Sequence, residues 1–140
     1  MASAADTQQG ATIAFATDST DHNIISIGRC GTPIPVLDKT HLGTTDFREK
    51  LAGELKDAQP VTVVAQADPA QAHPTIGTAQ TITITSPLAS GGSSAETLAG
   101  TGFVTDVRSQ EFNSESEGIQ TIEIDFIFDG DTGPTRTLAS

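Results

Sequence analysis

A chain of 140 residues is the size of one domain, and 18 acids against seven bases leave a formal net charge of −11. That balance excludes a phosphate-gripping surface unless the bases cluster tightly, which they do not. No run approaches eighteen apolar residues and the opening MASAADTQQG has neither a basic nor an apolar region, so neither a membrane span nor a signal peptide is expected.

Composition points to β structure. Twenty-one threonines, many alternating with Ile or Val, suit strands, and Gly and Pro fall mainly between the apolar runs. There is no Trp or Tyr and only six Phe, so the core must be built from Ile, Val, Leu and Ala. A core that thin gains from assembly. The single Cys30 cannot form an internal disulfide and fits a reducing cytoplasm.

Residues 1–10 are small and polar and read as a flexible arm. ATIAFAT (11–17) reads as a strand with Ile13 and Phe15 on one face. DSTDHN (18–23) reads as a turn, and NIISIGR as a second strand returning along the first, so a hairpin is expected. Residues 30–58 break the rhythm. Pro33 and Pro35 predict an extended stretch suited to a sheet edge. Phe47, Leu51 and Leu55, four apart, predict a short helix, which Gly53 weakens. Lys39, Arg48, Lys50 and Lys56 are interleaved with Asp38, Asp46, Glu49 and Asp57, a pattern for ion pairs at a surface or between subunits. So long an excursion in a small β domain binds something or reaches a neighbour.

Four clearer strands follow. PVTVVAQA (60–67) puts Val61, Val63 and Ala65 on one side, and AQTITITSPL (79–88) alternates Ile82 and Ile84 with Thr81, Thr83 and Thr85. Between them, Asp68 and Pro69 open a helix that Pro74 and Gly77 stop early. In TLAGTGFVTDVRS (97–109), Gly100 and Gly102 predict a bulge or a close backbone approach. The last strand, TIEIDFIF (121–128), sets Ile122, Ile124, Phe126 and Phe128 on a core face, with Thr121, Glu123 and Asp125 opposite. Ile127 interrupts that polar face and marks a candidate subunit contact. Seven acids and no base lie between Ser109 and Asp131.

Catalytic chemistry finds little support. His22, His41 and His73 sit in three separate loops without metal-ligand spacing. DGDTG (129–133) lacks the spaced ligands and closing Glu of a calcium loop and reads as a turn. No G-x-S-x-G or Walker A sequence is present, and the GTG at 100–102 lacks a third glycine. Glu123 and Asp125 share a face about 7 Å apart, a spacing known from glycosidases, but no aromatic cleft accompanies them. The sequence thus predicts no enzyme, no cofactor and no metal.

One family resemblance emerges from the order of the pieces. Ile25 to Ile27, the Pro33 and Pro35 stretch, Thr40 to Glu49, Glu54 to Asp57, and then AQTITITSPL, GTGFVTDV and the strand ending in FDG resemble the major tail, or tail tube, proteins of long-tailed, non-contractile bacteriophages. The resemblance covers residues 11–130. It implies a mainly β protein: a β-sandwich or partial barrel of about seven strands with one short helix, whose strands join those of neighbours into a closed inner barrel. It implies one domain at 11–130 carrying the long loop 30–58, between the arm 1–10 and a C-terminal tail 131–140. The partners implied are further copies in stacked six-fold rings, other tail proteins at the tube ends and double-stranded DNA passing through, with no membrane. The place implied is the tail of a virion assembled in the host cytoplasm.

By position, Thr40, His41, Thr44, Thr45, Asp46, Phe47, Arg48, Glu49 and Lys50 would form the reaching loop between subunits or rings. Thr81, Thr83, Thr85, Thr121, Glu123 and Asp125 would face the bore, where like charge repels phosphate and lets DNA slide. Pro74 and Gly77 depart from the family where its helix is usually packed. A related ring or adaptor protein of a head-tail or secretion tube, and a monomeric β-sandwich binding module, are the other readings the sequence leaves open.

Overall fold

Alternation of apolar and polar residues yields strands rather than helices along most of this chain. The structure, a computed structural model, describes residues 10–17, 23–88, 92–112, 114–115, 118–130 and 133–139. Among them are nine strands: β1 Thr12–Phe15, β2 Ile24–Ile27, β3 Val36–Asp38, β4 Lys50–Ala52, β5 Val61–Gln66, β6 Gln80–Thr85, β7 Thr97–Arg108, β8 Thr121–Phe128 and β9 Thr135–Thr137. All strand pairs are antiparallel, and six strands lie in the order β1-β6-β7-β8-β5-β2. β9 pairs with β7, so part of the segment expected as a C-terminal tail belongs to the sheet. β3 and β4 form a separate two-stranded ribbon.

The sheet is curled on its apolar face. Phe15 of β1 meets Phe126 of β8 edge to face, ring centroids 5.8 Å apart, although β6 and β7 lie between the two strands. Phe128 adds a second edge-to-face contact with Phe126 at 5.4 Å. Around these rings Ile13, Val61, Val63, Ala65, Ile82, Val104, Ile122 and Ile124 are buried. All but Val104 sit at the alternate position the sequence assigns inward, and the eight residues of β8 alternate half-buried and buried without a break. The architecture is mainly β, a partial barrel made by one curled antiparallel sheet.

Three expectations are corrected. β1 and β2 form no hairpin: they are the two opposite ends of the six-strand path, and β1 pairs instead with β6, where Ile13 and Phe15 are buried in the core. The connecting turn at 18–22, with His22, lies outside the described residues, as do residues 1–9. No helix occurs among the described residues. Leu51 belongs to β4 instead, paired with Leu37, and Gly53 donates across to Pro35. At Asp68 the expected cap exists, its carboxylate accepting the Ala70 N–H at 2.9 Å, but the chain makes a single turn before Pro74.

The glycines of β7 allow close approach, as expected. A Cβ on Gly102 would collide with the Ile127 carbonyl oxygen, and one on Gly100 would lie 3.1 Å from the Phe128 ring. The bulge falls later, between Val104 and Asp106. Gly102→Ala is therefore expected to destabilise the fold by about 1–3 kcal/mol, read as a lower urea midpoint; an unchanged midpoint would show that β7 and β8 can separate freely there.

Candidate functional site

The excursion between β2 and β5 is a two-stranded arm. Its root is closed by Gln59 N–H to the Gly31 carbonyl at 2.9 Å, then Asp57 to Pro33 at 2.9 Å and Gly53 to Pro35 at 2.7 Å, before β3 pairs with β4. Both prolines accept through their carbonyls and donate nothing, so an edge position suits them. Beyond the ribbon, Lys39 N–H reaches the Glu49 carbonyl at 3.0 Å.

Most of the motif residues expected at the reaching loop hold its tip in shape. Thr40 Oγ1 accepts the Glu49 N–H at 2.9 Å, Thr44 Oγ1 accepts the His41 N–H at 3.2 Å, and His41 Nδ1 accepts the Gly43 N–H at 3.0 Å. Asp38 accepts the Thr40 N–H at 2.9 Å and pairs with Arg48 at 3.4 Å; the bonds from Thr40, then that from Arg48, hold its carboxyl below the usual range. His41 lies 3.7 Å from Glu49. What this scaffold presents is apolar: Phe47 is 87% exposed and Leu42 fully exposed, and Thr45, Asp46 and Lys50 are exposed beside them.

The second feature is the polar outer face of the sheet. Thr81, Thr83 and Thr85 of β6 stand opposite Thr101, Ala99 and Thr97 of β7. Thr121, Glu123 and Asp125 of β8 stand opposite Gln66, Val64 and Thr62 of β5. The six residues expected at a bore thus share one face, in two groups separated by β7.

The acids on this face are not bare. Across the β7–β8 register Asp106 sits opposite Asp125 and Arg108 opposite Glu123. Arg108 donates to Glu123 at 2.7 Å, to both oxygens of Asp125, and to Asp106 at 3.3 Å. Thr62 Oγ1 donates to Asp125 at 2.7 Å. The Arg108 bond is the largest influence holding the Asp125 carboxyl below its ordinary range, while Asp125 and Glu123 raise the Arg108 guanidinium. Two directly opposed carboxylates would repel, and the guanidinium between them reverses that. Sequence reading missed Arg108 because it closes the preceding strand; only the register brings it beside residues 15 to 17 positions later. Ile127 and Phe103 face each other on the same outer face, both half-buried.

The third feature is a groove of about 640 Å³ between β2 and the ends of β6 and β7, with Gly10 and Ala11, just before β1, in its lining. Ile24, Ile25 and Ile27 of β2 line one side and Ile84 and Leu98 the other, with half-buried Cys30 in its lining. Burial pushes the Cys30 thiol up. Among the described residues, no three His, Cys, Asp or Glu side chains converge to hold a metal ion, and no helix is long and apolar enough to cross a membrane.

No protein-family model and no curated protein matches the chain. Solved structures do match. A chain of the PVC extracellular contractile injection system, in the structure of its sheath/tube terminator in the extended state, superposes with TM-score 0.75 at 13% identity, over 97% of this chain and 99% of that one. A chain of the six-fold symmetrised anti-feeding prophage baseplate gives 0.71 at 12%, over 98% and 97%. A chain of the PVC sheath-tube complex gives 0.62 at 15%, over 91% and 87%. At such identities the likeness is one of fold. Two of these chains come from one contractile injection system and the third from a prophage baseplate, so the likeness supports a tail-tube-like fold and not the non-contractile tails in particular.

The Arg108 clamp has a pH signature. A folded carboxyl held below its unfolded value of about 3.9 adds stability above that pH and loses it as pH falls through the folded value. Asp125→Asn should lower the melting temperature by a few degrees at pH 7, with the gap to wild type narrowing as pH falls below the unfolded value of about 3.9. A gap constant across this range would show that the ion pairs contribute nothing.

Proposed function

We propose that this chain is a structural, non-enzymatic subunit that associates with copies of itself into stacked rings, forming a tube of the tail or injection type. The observation that carries the reading is the arm: an ordered ribbon whose largest apolar side chains have nothing to cover them within the subunit. It projects from a body whose fold tube-bearing injection systems share. Burying Leu42 and Phe47 against a neighbour would contribute about 1.5–3 kcal/mol each.

In this reading the rings are six-fold, the particle is a virion tail built in the host cytoplasm, and other tail proteins join at the tube ends. The Thr-rich and acidic outer face lines the bore. Three carboxylates against one guanidinium leave it negative, so double-stranded DNA passes without sticking. A second reading, a ring that ends the tube, is supported by the likeness in fold to the chain from the sheath/tube terminator structure.

Negative-stain microscopy of the purified protein tests both readings. Stacked tubes are expected for a tube body and single or paired rings for a tube end, while a strictly monomeric protein at high concentration would contradict both. Leu42→Asp combined with Phe47→Asp should leave the unfolding free energy within about 0.5 kcal/mol per substitution and abolish assembly; particles formed normally by the double variant would remove the arm from the interface.

A further inference from the structure

Resting on the self-assembly reading above, we propose that the arm tip of one copy, led by Leu42 and Phe47, seats in the groove between β2 and the ends of β6 and β7 of a second copy. The groove and the arm are complementary features of one chain. The groove is apolar along Ile24, Ile27, Ile84 and Leu98, with Ser26, Ser86 and Glu96 also in its lining, and lies beside β2, one end of the strand path. The arm holds seven of the thirteen exposed large hydrophobics among the described residues.

The arm cannot serve its own groove. Its root at Gly31 directly follows Cys30 in the groove lining, and the ribbon is hydrogen-bonded from Gly31 and Gln59 out to Lys39 and Glu49. Eight residues of extended chain carry the tip about 26 Å from that root. A paired ribbon with two prolines does not fold back on itself, so the occupant comes from another molecule.

Charge selects the arm as the approaching element. Residues 31–59 carry four bases and five acids, a net of −1, and include all three lysines of the chain; the remaining residues carry three bases and thirteen acids, a net of −10. Two bodies repel each other, and the arm is the segment of one copy that nears another body with least repulsion. Lys39 and Lys50 have no ion-pair partner among the described residues and are free to meet that acidic surface. Because tip and groove are different surfaces, the contact is head to tail, the geometry that closes into a ring or continues as a filament.

Cys30, the only cysteine, makes the contact testable. L42C and F47C each place a thiol on an exposed tip position that leaves the fold intact. The assembled variants are oxidised with copper-phenanthroline and run without reductant. A ladder of disulfide-linked multimers that collapses with reductant, and that shrinks to dimers at most when C30S is added, is the expected result. Assembled particles without a ladder in either variant would overturn the groove assignment while leaving the self-assembly reading intact. Absence of any particles from the wild-type protein would overturn that reading, and this inference with it.

Discussion

A single antiparallel sheet with one apolar face and no helix to lay against it has one way to take that face out of water: it must close on itself. Here the closure is made by Phe15 reaching Phe126 across two intervening strands. The rest of the barrel depends on that contact. It fixes β1 at one end of the strand path and β2 at the other, it requires glycine at 102 where β7 and β8 run close together, and it leaves the threonines of β6 and the acids of β8 on the outer face, with Gln80 the buried polar exception among the described residues. Only three of the six phenylalanines enter this core, Phe15, Phe126 and Phe128, while Phe47 and Phe112 stay exposed.

An incomplete closure leaves two unfinished surfaces. The end strand β2 borders an apolar groove with the ends of β6 and β7, and the chain leaves β2 into an arm whose own apolar residues have no cover. Both would be liabilities in a monomer, since open strand edges and exposed apolar ribbons invite uncontrolled pairing. They become assets when the partner is another copy of the same chain. In the proposed assembly the high negative charge would serve the same end, because it would keep bodies apart and leave approach to the least charged segment.

Strand content and the inward face of each core strand were legible because period-two alternation is a local signal: Val61, Val63, Ala65, Ile82, Ile122 and Ile124 could be assigned from their own neighbours. Pairing was not legible. Nothing local to Thr12–Phe15 or Ile24–Ile27 says that the two strands sit at opposite ends of a curled sheet, and short hairpins are the usual outcome for adjacent strands. The spacing of Phe47, Leu51 and Leu55 fitted a helix, and the ladder to Val36–Asp38 overrode it. At the proposed bore, the acids of β8 could be read from sequence, but the guanidinium that clamps them could not, since Arg108 reaches them only through the β7–β8 register. The arm's importance was visible in its length and composition; that its threonines and histidine build the tip while Leu42 and Phe47 are presented by it was visible only in the hydrogen bonds.

The central claim is that the subunit is incomplete alone and is completed by copies of itself through the arm. Amide hydrogen exchange, compared between the dilute protein and the same protein at a concentration where particles form, tests this most directly. The account predicts strong new protection in the arm, across 36–52, and along the groove at 24–28, with the core strands β5 and β8 unchanged. Exchange in those two segments that stays the same at both concentrations would contradict it.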